Sequence, residues 1–147
     1  MEVRPPRDDE VEALLPLIRG YCDFYEASPS DDGLREMAGA LIADPEQGAL
    51  FIARNDQGEA VGFAAMGWKW SSLRAARVGV MEDLFVAPEA RGKGFAEALI
   101  EACAEACRER GMPALEWVTA TDNRRAQAVY DRIGGEGATW MNYELEL

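Results

Sequence analysis

Apolar residues recur at helical spacing over roughly the first forty positions and then gather into short runs, and this change of period orders the chain. Val11, Leu14, Leu15, Ile18 and Cys22 share one helical face despite Pro16, with Asp8 or Asp9 placed to cap the helix. "SPSDDGLREMAGALIADPEQG" predicts a second helix, with Asp31 or Asp32 near its start and Pro45 just past its end. Two strand-like runs follow, "ALFIAR" and "EAVGFAAMGWKW", joined by "NDQGE", whose Asn, Asp and Gly suit a hairpin turn. A third run, "ARVGVMEDLFVAP", reaches Pro88. "GFAEALIEACAEACRERG" predicts a long helix with Phe95, Leu99, Ile100, Cys103 and Cys107 on one face and Gly111 at its end. "ALEWVTA" then predicts a short buried strand, "NRRAQAVYDRIGG" a helix closed by glycine, and the alternation in "ATWMNYELEL" a closing strand. With a short strand over residues 2–5, the order β, α, α, β, β, β, α, β, α, β predicts a mixed sheet with helices packed on it. That is an α/β or α+β sandwich, expected to be one domain over 1–147.

Composition narrows the chemistry. The chain has 147 residues, 48% apolar and 29% charged, enough for one domain with a real core. Its net charge of −12, from 27 acidic and 15 basic residues, argues against nucleic acid as a partner; it favours encounter with cationic small molecules, and plain solubility explains it equally well. There is no histidine, so any general base must be a carboxylate, Tyr, Cys or Lys, and His-containing triads and metal sites are excluded. No metal is expected. Three cysteines, Cys22, Cys103 and Cys107, lack CxxC spacing and read as core thiols. "MEVRPPRDDE" places acids where a secretory peptide carries a basic end, and no apolar run approaches the roughly 20 residues that span a bilayer. A cytoplasmic protein without membrane contact is the expectation.

One turn carries candidate chemistry. "ARGKGFAEAL" joins a nearly continuous apolar strand to a helix N-terminus, where unpaired N–H groups and the helix dipole favour an anion. Gly92 and Gly94 let the backbone take unusual dihedrals, and Arg91 and Lys93 add positive charge; the only other lysine is Lys69. A phosphate or pyrophosphate suits such a turn, and so does a plain strand-to-helix connection with solvated charges. P-loop spacing fails because Lys93 is followed by Gly94, and the dinucleotide fingerprint fails at Glu97.

"EDLFVAPEARGKGFAEAL" resembles the signature of the GNAT superfamily of acetyl-CoA-dependent N-acetyltransferases, whose loop pattern is met here by Arg91, Gly94 and Ala96. "NRRAQAVYDRIGG" is similar to the family's second signature, with Asn123, Ala126, Tyr130 and a closing glycine. The Glu-Asp pair before the strand end, "EW" in the next strand and the Asn-to-Tyr spacing resemble the diamine (spermidine/spermine-like) branch. The resemblance covers roughly residues 50 to 145; Ile133-Gly134-Gly135 departs from the Gly-aromatic ending common in the family. It implies a mostly antiparallel mixed sheet of about six or seven strands flanked by about four helices.

It also implies roles for named residues. Acetyl transfer needs a neutral amine, and an alkylammonium has a pKa of about 10, so a base or water relay must take its proton. Glu82 is the candidate: in a regular pleat it shares a face with Val78, Val80, Leu84 and Val86, where burial would raise its pKa, although an ion pair with Arg77 would make it merely structural. Asp83 points the other way unless a bulge shifts the register, and is the reserve base or a substrate-charge contact. A family bulge in this strand would free the backbone of Leu84, Phe85 and Val86 for the pantetheine arm and for the developing oxyanion. The turn residues Arg91, Gly92, Lys93, Gly94, Phe95 and Ala96 would hold the pyrophosphate of acetyl-CoA. Tyr130 would protonate the CoA thiolate, or else pack in the core; Asn123 would bind the cofactor, cap its helix, or both. Tyr25 and Glu26 would line the acceptor cleft, Glu26 or Asp23 could pair with a second ammonium, and Trp68, Trp70 and Trp140 offer faces for a cation. The implied mechanism is direct transfer in a ternary complex, with a cysteine acyl-enzyme as its rival. The acceptor stays open among diamines, amino acids, aminoglycosides and protein amines. A non-catalytic acyl-CoA sensor on the same fold is the alternative function. Homodimerisation is common in the family, and no residue pattern here addresses it.

Overall fold

The structure, a computed structural model, describes residues 1–147. The chain divides into two compact units, Met1–Trp117 and Val118–Leu147, and each is described by itself. No helix is long and apolar enough to cross a membrane.

In the first unit β1 (Glu2–Arg4), β2 (Ala49–Arg54), β3 (Ala60–Ser71) and β4 (Ala76–Val86) form an antiparallel run, and β5 (Leu115–Glu116) adds in parallel to β4. The sheet therefore has five strands in sequence order, fewer than the six or seven that the resemblance implies. Helices α1 (Val11–Phe24) and α2 (Asp31–Ala43) cover one face, where Leu14, Leu17, Ile18, Leu34 and Ala38 pack with Leu50, Ile52, Phe63 and Ala65. Helix α3 (Phe95–Glu109) covers the opposite face. A Cβ on Gly62 would lie 3.2 Å from Leu99, and one on Gly79 only 2.3 Å from Cys107 Sγ, so the sheet meets α3 at two glycines. Burying a side chain such as Leu14 or Leu99 completely contributes about 1.5–3 kcal/mol, and these two layers anchor the fold.

The helix starts differ from expectation in detail. Asp8–Glu10 form a 3₁₀ turn, not a side-chain cap, and the Glu10 carboxylate instead accepts from the Arg7 N–H at 2.8 Å. Pro16 sits inside α1; the carbonyl it leaves without a helical donor belongs to exposed Glu12, where water can replace it. Ser30 caps α2 by accepting from the Gly33 N–H at 3.1 Å.

The second unit holds α4 (Arg124–Arg132). Residues 138–147 form no strand. Tyr143, Leu145 and Leu147 alternate with polar neighbours but are exposed, as are Trp140 and Met141: alternation says which face a strand would bury, but a strand also needs a ladder partner, and none pairs with this segment.

Candidate active site

Strand β4 carries one residue more than β3 can pair. Met66 lies opposite Met81 and Ala65 opposite Asp83, which leaves Glu82 as the extra residue of a β-bulge. Beyond a bulge the pleat is inverted. Asp83 and Phe85 therefore face α1 and α2 with Phe63 and Ala65, while Leu84 and Val86 face α3. This corrects the regular-pleat reading of Glu82: its side chain is exposed and not set among Val78, Val80, Leu84 and Val86. Nor does it pair with Arg77, whose guanidinium lies 3.7 Å from Glu46.

The carboxyl that enters apolar surroundings is Asp83. Burial pushes its pKa up, the neighbouring Glu82 charge pushes it further, and the Tyr21 phenol beside it opposes both. Tyr21 projects from α1 and donates to the Glu82 carbonyl at 3.3 Å. Burial, and then the Asp83 charge, hold the Tyr21 phenol well above its ordinary range. No role for Tyr21 emerges from the sequence, where it reads as one more residue of an amphipathic helix; the available signal is its place one turn before Tyr25. The two rings lie 5.0 Å apart, and Tyr25 in turn meets Phe24 at 5.0 Å, edge to face. Phe24 and Tyr25 are exposed, so α1 ends in an open aromatic corner beside the bulge. Glu26 follows with a left-handed backbone, φ +56°, which costs a non-glycine residue about 1–2 kcal/mol and turns the chain sharply after the helix.

The other edge of β4 is mostly unpaired. Its only partner there, β5, pairs at Gly79 and Val80, so from Met81 to Val86 the strand has a neighbour on the β3 side alone. The backbone of Leu84, Phe85 and Val86 thus presents an edge with no ladder partner on the β5 side. That edge leads into the glycine turn. Gly92 and Gly94 adopt φ +74° and +84°, as their sequence context predicts, and Gly94 opens α3 without a side-chain cap. Phe95 and Ala96 stand in the first turn, where amides have no acceptor within the helix. Arg91 Nε donates to the Val86 carbonyl at 2.8 Å with its guanidinium 5.8 Å from the Phe85 ring, and Lys93 Nζ donates to the Glu89 carbonyl at 3.1 Å. Both cations thereby brace the turn while keeping their charge beside it.

The tryptophans divide. Trp68 is occupied, its indole N–H donating to the Pro45 carbonyl at 3.0 Å and its ring covered by Arg110 at 4.5 Å, whereas Trp70 and Trp140 are exposed. The thiols of Cys22, Cys103 and Cys107 are all buried, and no cluster of metal-ligating side chains occurs.

In the second unit, Asn123 caps α4 by accepting from the Ala126 N–H at 3.3 Å, and Gln127 holds the preceding loop through the carbonyls of Ala120 and Thr121, each at 3.0 Å. Tyr130 lies on this helix, whose end is closed by Gly134 at φ +84° and a 2.9 Å bond from the Gly135 N–H to the Tyr130 carbonyl.

Comparison with known proteins agrees with this geometry. Residues 14–135 match the Acetyltransferase (GNAT) family. An uncharacterized N-acetyltransferase of Bacillus subtilis, YhfO, is 30% identical over 148 residues, covering 100% of this chain and 98% of its own. A thialysine N-epsilon-acetyltransferase of Caenorhabditis elegans is 33% identical, with 94% of this chain and 87% of its own covered. Among solved structures, that of a probable acetyltransferase superposes with a TM-score of 0.86 at 26% identity, covering 100% of this chain and 98% of the other.

Proposed function

Since this chain belongs to the GNAT acetyltransferase family, we propose that it is a single N-acetyltransferase domain over residues 1–147 that moves the acetyl group of acetyl-CoA to a primary amine of a small cationic molecule by direct transfer in a ternary complex. The observation that carries the reading is the β4 edge, unladdered from Met81 to Val86 and continuing into two left-handed glycines and an uncapped helix start. An acyl-pantetheine arm needs free backbone donors along its length and a pyrophosphate needs open amides, and this stretch offers both in that order.

Bound acetyl-CoA supplies the activated thioester. Arg91, Gly92, Lys93, Gly94, Phe95 and Ala96 hold its pyrophosphate, while the backbone of Leu84, Phe85 and Val86 holds the arm and stabilises the oxyanion. Glu82, exposed on the bulge, takes the amine's proton directly or through water, and Asp83 holds the positive charge of the acceptor. Tyr130 donates a proton to the departing thiolate, and Asn123 adds to the cofactor contacts while capping its helix. Tyr25 and Glu26 border the acceptor at the end of α1. The acceptor class is a diamine, polyamine or amino-acid-like amine, consistent with the −12 net charge and with a relative named for the ε-amine of thialysine. A cytoplasmic location completes the proposal, with assembly, as a homodimer or otherwise, left to a sizing experiment.

The test is CoA-thiol release from acetyl-CoA across a panel of diamines, polyamines, lysine analogues and aminoglycosides, with the parent, Glu82→Gln and Tyr130→Phe proteins. Turnover on one amine, reduced about 10²-fold or more in each variant with acetyl-CoA binding retained, is the expected result. Binding of acetyl-CoA without turnover on any amine would favour a sensor, and absence of binding would refute the role of the β4 edge and glycine turn.

A further inference from the structure

We propose that Tyr21 is a positioning residue of this site: its hydroxyl fastens helix α1 to the β4 bulge and fixes the Asp83 carboxyl in place to meet a cationic acceptor. The kinetic half of this inference rests on the acetyl-transfer reading above; the structural half does not.

Several observations converge on that hydroxyl. Helix α1 approaches β4 unusually closely at the preceding residue, where a Cβ on Gly20 would lie 2.7 Å from Phe85 Cζ, and this approach brings Tyr21 to the bulge. The phenol then donates to the Glu82 carbonyl at 3.3 Å, the carbonyl of the one β4 residue that has no partner across the ladder on β3. Asp83, the next residue along, faces the same helix, and its charge raises the Tyr21 pKa while the phenol lowers that of the carboxyl. Its ring is held from two directions, edge-on to Phe63 at 6.1 Å and tilted against Tyr25 at 5.0 Å. A phenol braced in this way has little freedom to serve as a mobile acid, and its phenolic pKa is raised, so it acts as a fixed donor.

A fixed donor has a chemical consequence for Asp83. Burial and the Glu82 charge shift Asp83 towards its neutral acid, which cannot attract an ammonium, and the phenol opposes that shift by favouring the charged form. The titratable groups acting on the pair are Glu82 on β4 and Tyr25 and Cys22 on α1, while β3 places only Ala65 opposite Asp83. Tyr21 is the one group among them that pulls the Asp83 pKa down.

Tyr21→Phe tests this, since it keeps the ring and its contacts and removes only the hydroxyl. In the full chain, the Asp83 carboxyl is followed by ¹³C NMR titration, its signal assigned by its loss in Asp83→Asn, alongside kcat/KM for the amine against pH and the Kd of acetyl-CoA. The expected result is an upward shift of the Asp83 midpoint by about half a unit or more, with the acid limb of kcat/KM displaced the same way. On the acid limb the amine kcat/KM should fall by about threefold or more, the loss of ionised Asp83 that such a shift allows, while the acetyl-CoA Kd changes less than about twofold. An unmoved midpoint in an active enzyme overturns the clamp and leaves the acetyl-transfer reading standing. In an active enzyme, a moved midpoint without a moved limb, or losses in acetyl-CoA binding and thermal stability that match the loss in activity, also overturns it by reducing Tyr21 to a packing residue. A parent protein inactive on every amine refutes acetyl transfer but not the clamp, which the midpoint shift then supports alone.

Discussion

Gly20 of α1 lies directly against the ring of Phe85, with 2.7 Å between the place a Cβ would occupy and Phe85 Cζ. Phe85 is also the ring beneath the Arg91 guanidinium, at 5.8 Å, so one glycine couples the helix to both the bulged strand and the turn that follows it.

Gly20→Ala therefore has opposed effects. Alanine gains about 1 kcal/mol of helix propensity, whereas the clash, relieved by tilting the end of the Phe85 ring, costs about 1–3 kcal/mol. Stability should fall by up to about 2 kcal/mol, or up to about 8 °C in Tm for a chain of this size. Acetyl-CoA affinity should fall more than that loss suggests, because the tilt displaces the strand and the arginine that brace the turn. Calorimetry beside an acetyl-CoA binding titration checks the split; unchanged binding with an intact fold would show that Phe85 can move without disturbing the turn.

A second prediction concerns Glu10, buried at 4% exposure at the start of α1. Arg4 grips it at 2.7 and 2.9 Å, Arg54 at 2.7 Å and Arg7 at 3.3 Å, and the hydrogen bonds from Arg4 above all hold its pKa far below the carboxylate range. Glu10→Gln leaves these guanidinium groups without their anion. Because the arginines are themselves partly open to water, the cost should be about 2–3 kcal/mol, below that of a fully buried pair. The folded-state pKa is depressed, so the contribution is fully present above the unfolded value of about 4.5 and is lost as pH falls below it. Urea unfolding from pH 7 to pH 3 should show a steeper acid loss in the parent than in Glu10→Gln; parallel curves would refute the linkage.

Much of this arrangement is legible from local pattern. The run "ALFIAR" coincides with β2, and Gly92 and Gly94 take the left-handed angles that their place between strand and helix suggests. What escapes the sequence depends on partners. Glu82 reads as facing inward because alternation assumes a regular pleat, and the bulge exists only through the registry of β4 against β3. The same shift turns Asp83 towards α1 and leaves the Glu82 carbonyl to accept from Tyr21, so the missed residue and the misplaced one have a single cause. The expected closing strand fails for the complementary reason: Tyr143, Leu145 and Leu147 alternate well, but no neighbouring strand meets them.

The buried thiols supply the last prediction, and it separates two mechanisms. Cys22, Cys103 and Cys107 are each at most 8% exposed. Burial pushes the Cys103 thiol up to about 12, and burial likewise raises that of Cys107. At pH 8 both are therefore neutral thiols, and only the thiolate is nucleophilic. Native protein should resist iodoacetamide at pH 8 over hours and take up three equivalents only after unfolding, as read by intact mass. Incubation with acetyl-CoA alone should likewise leave the mass unchanged, because direct transfer requires no acetylated intermediate. A stable 42 Da adduct, the mass of about one acetyl group, on any of the three cysteines would instead establish the acyl-enzyme route and require a conformation in which that thiol is exposed and ionised.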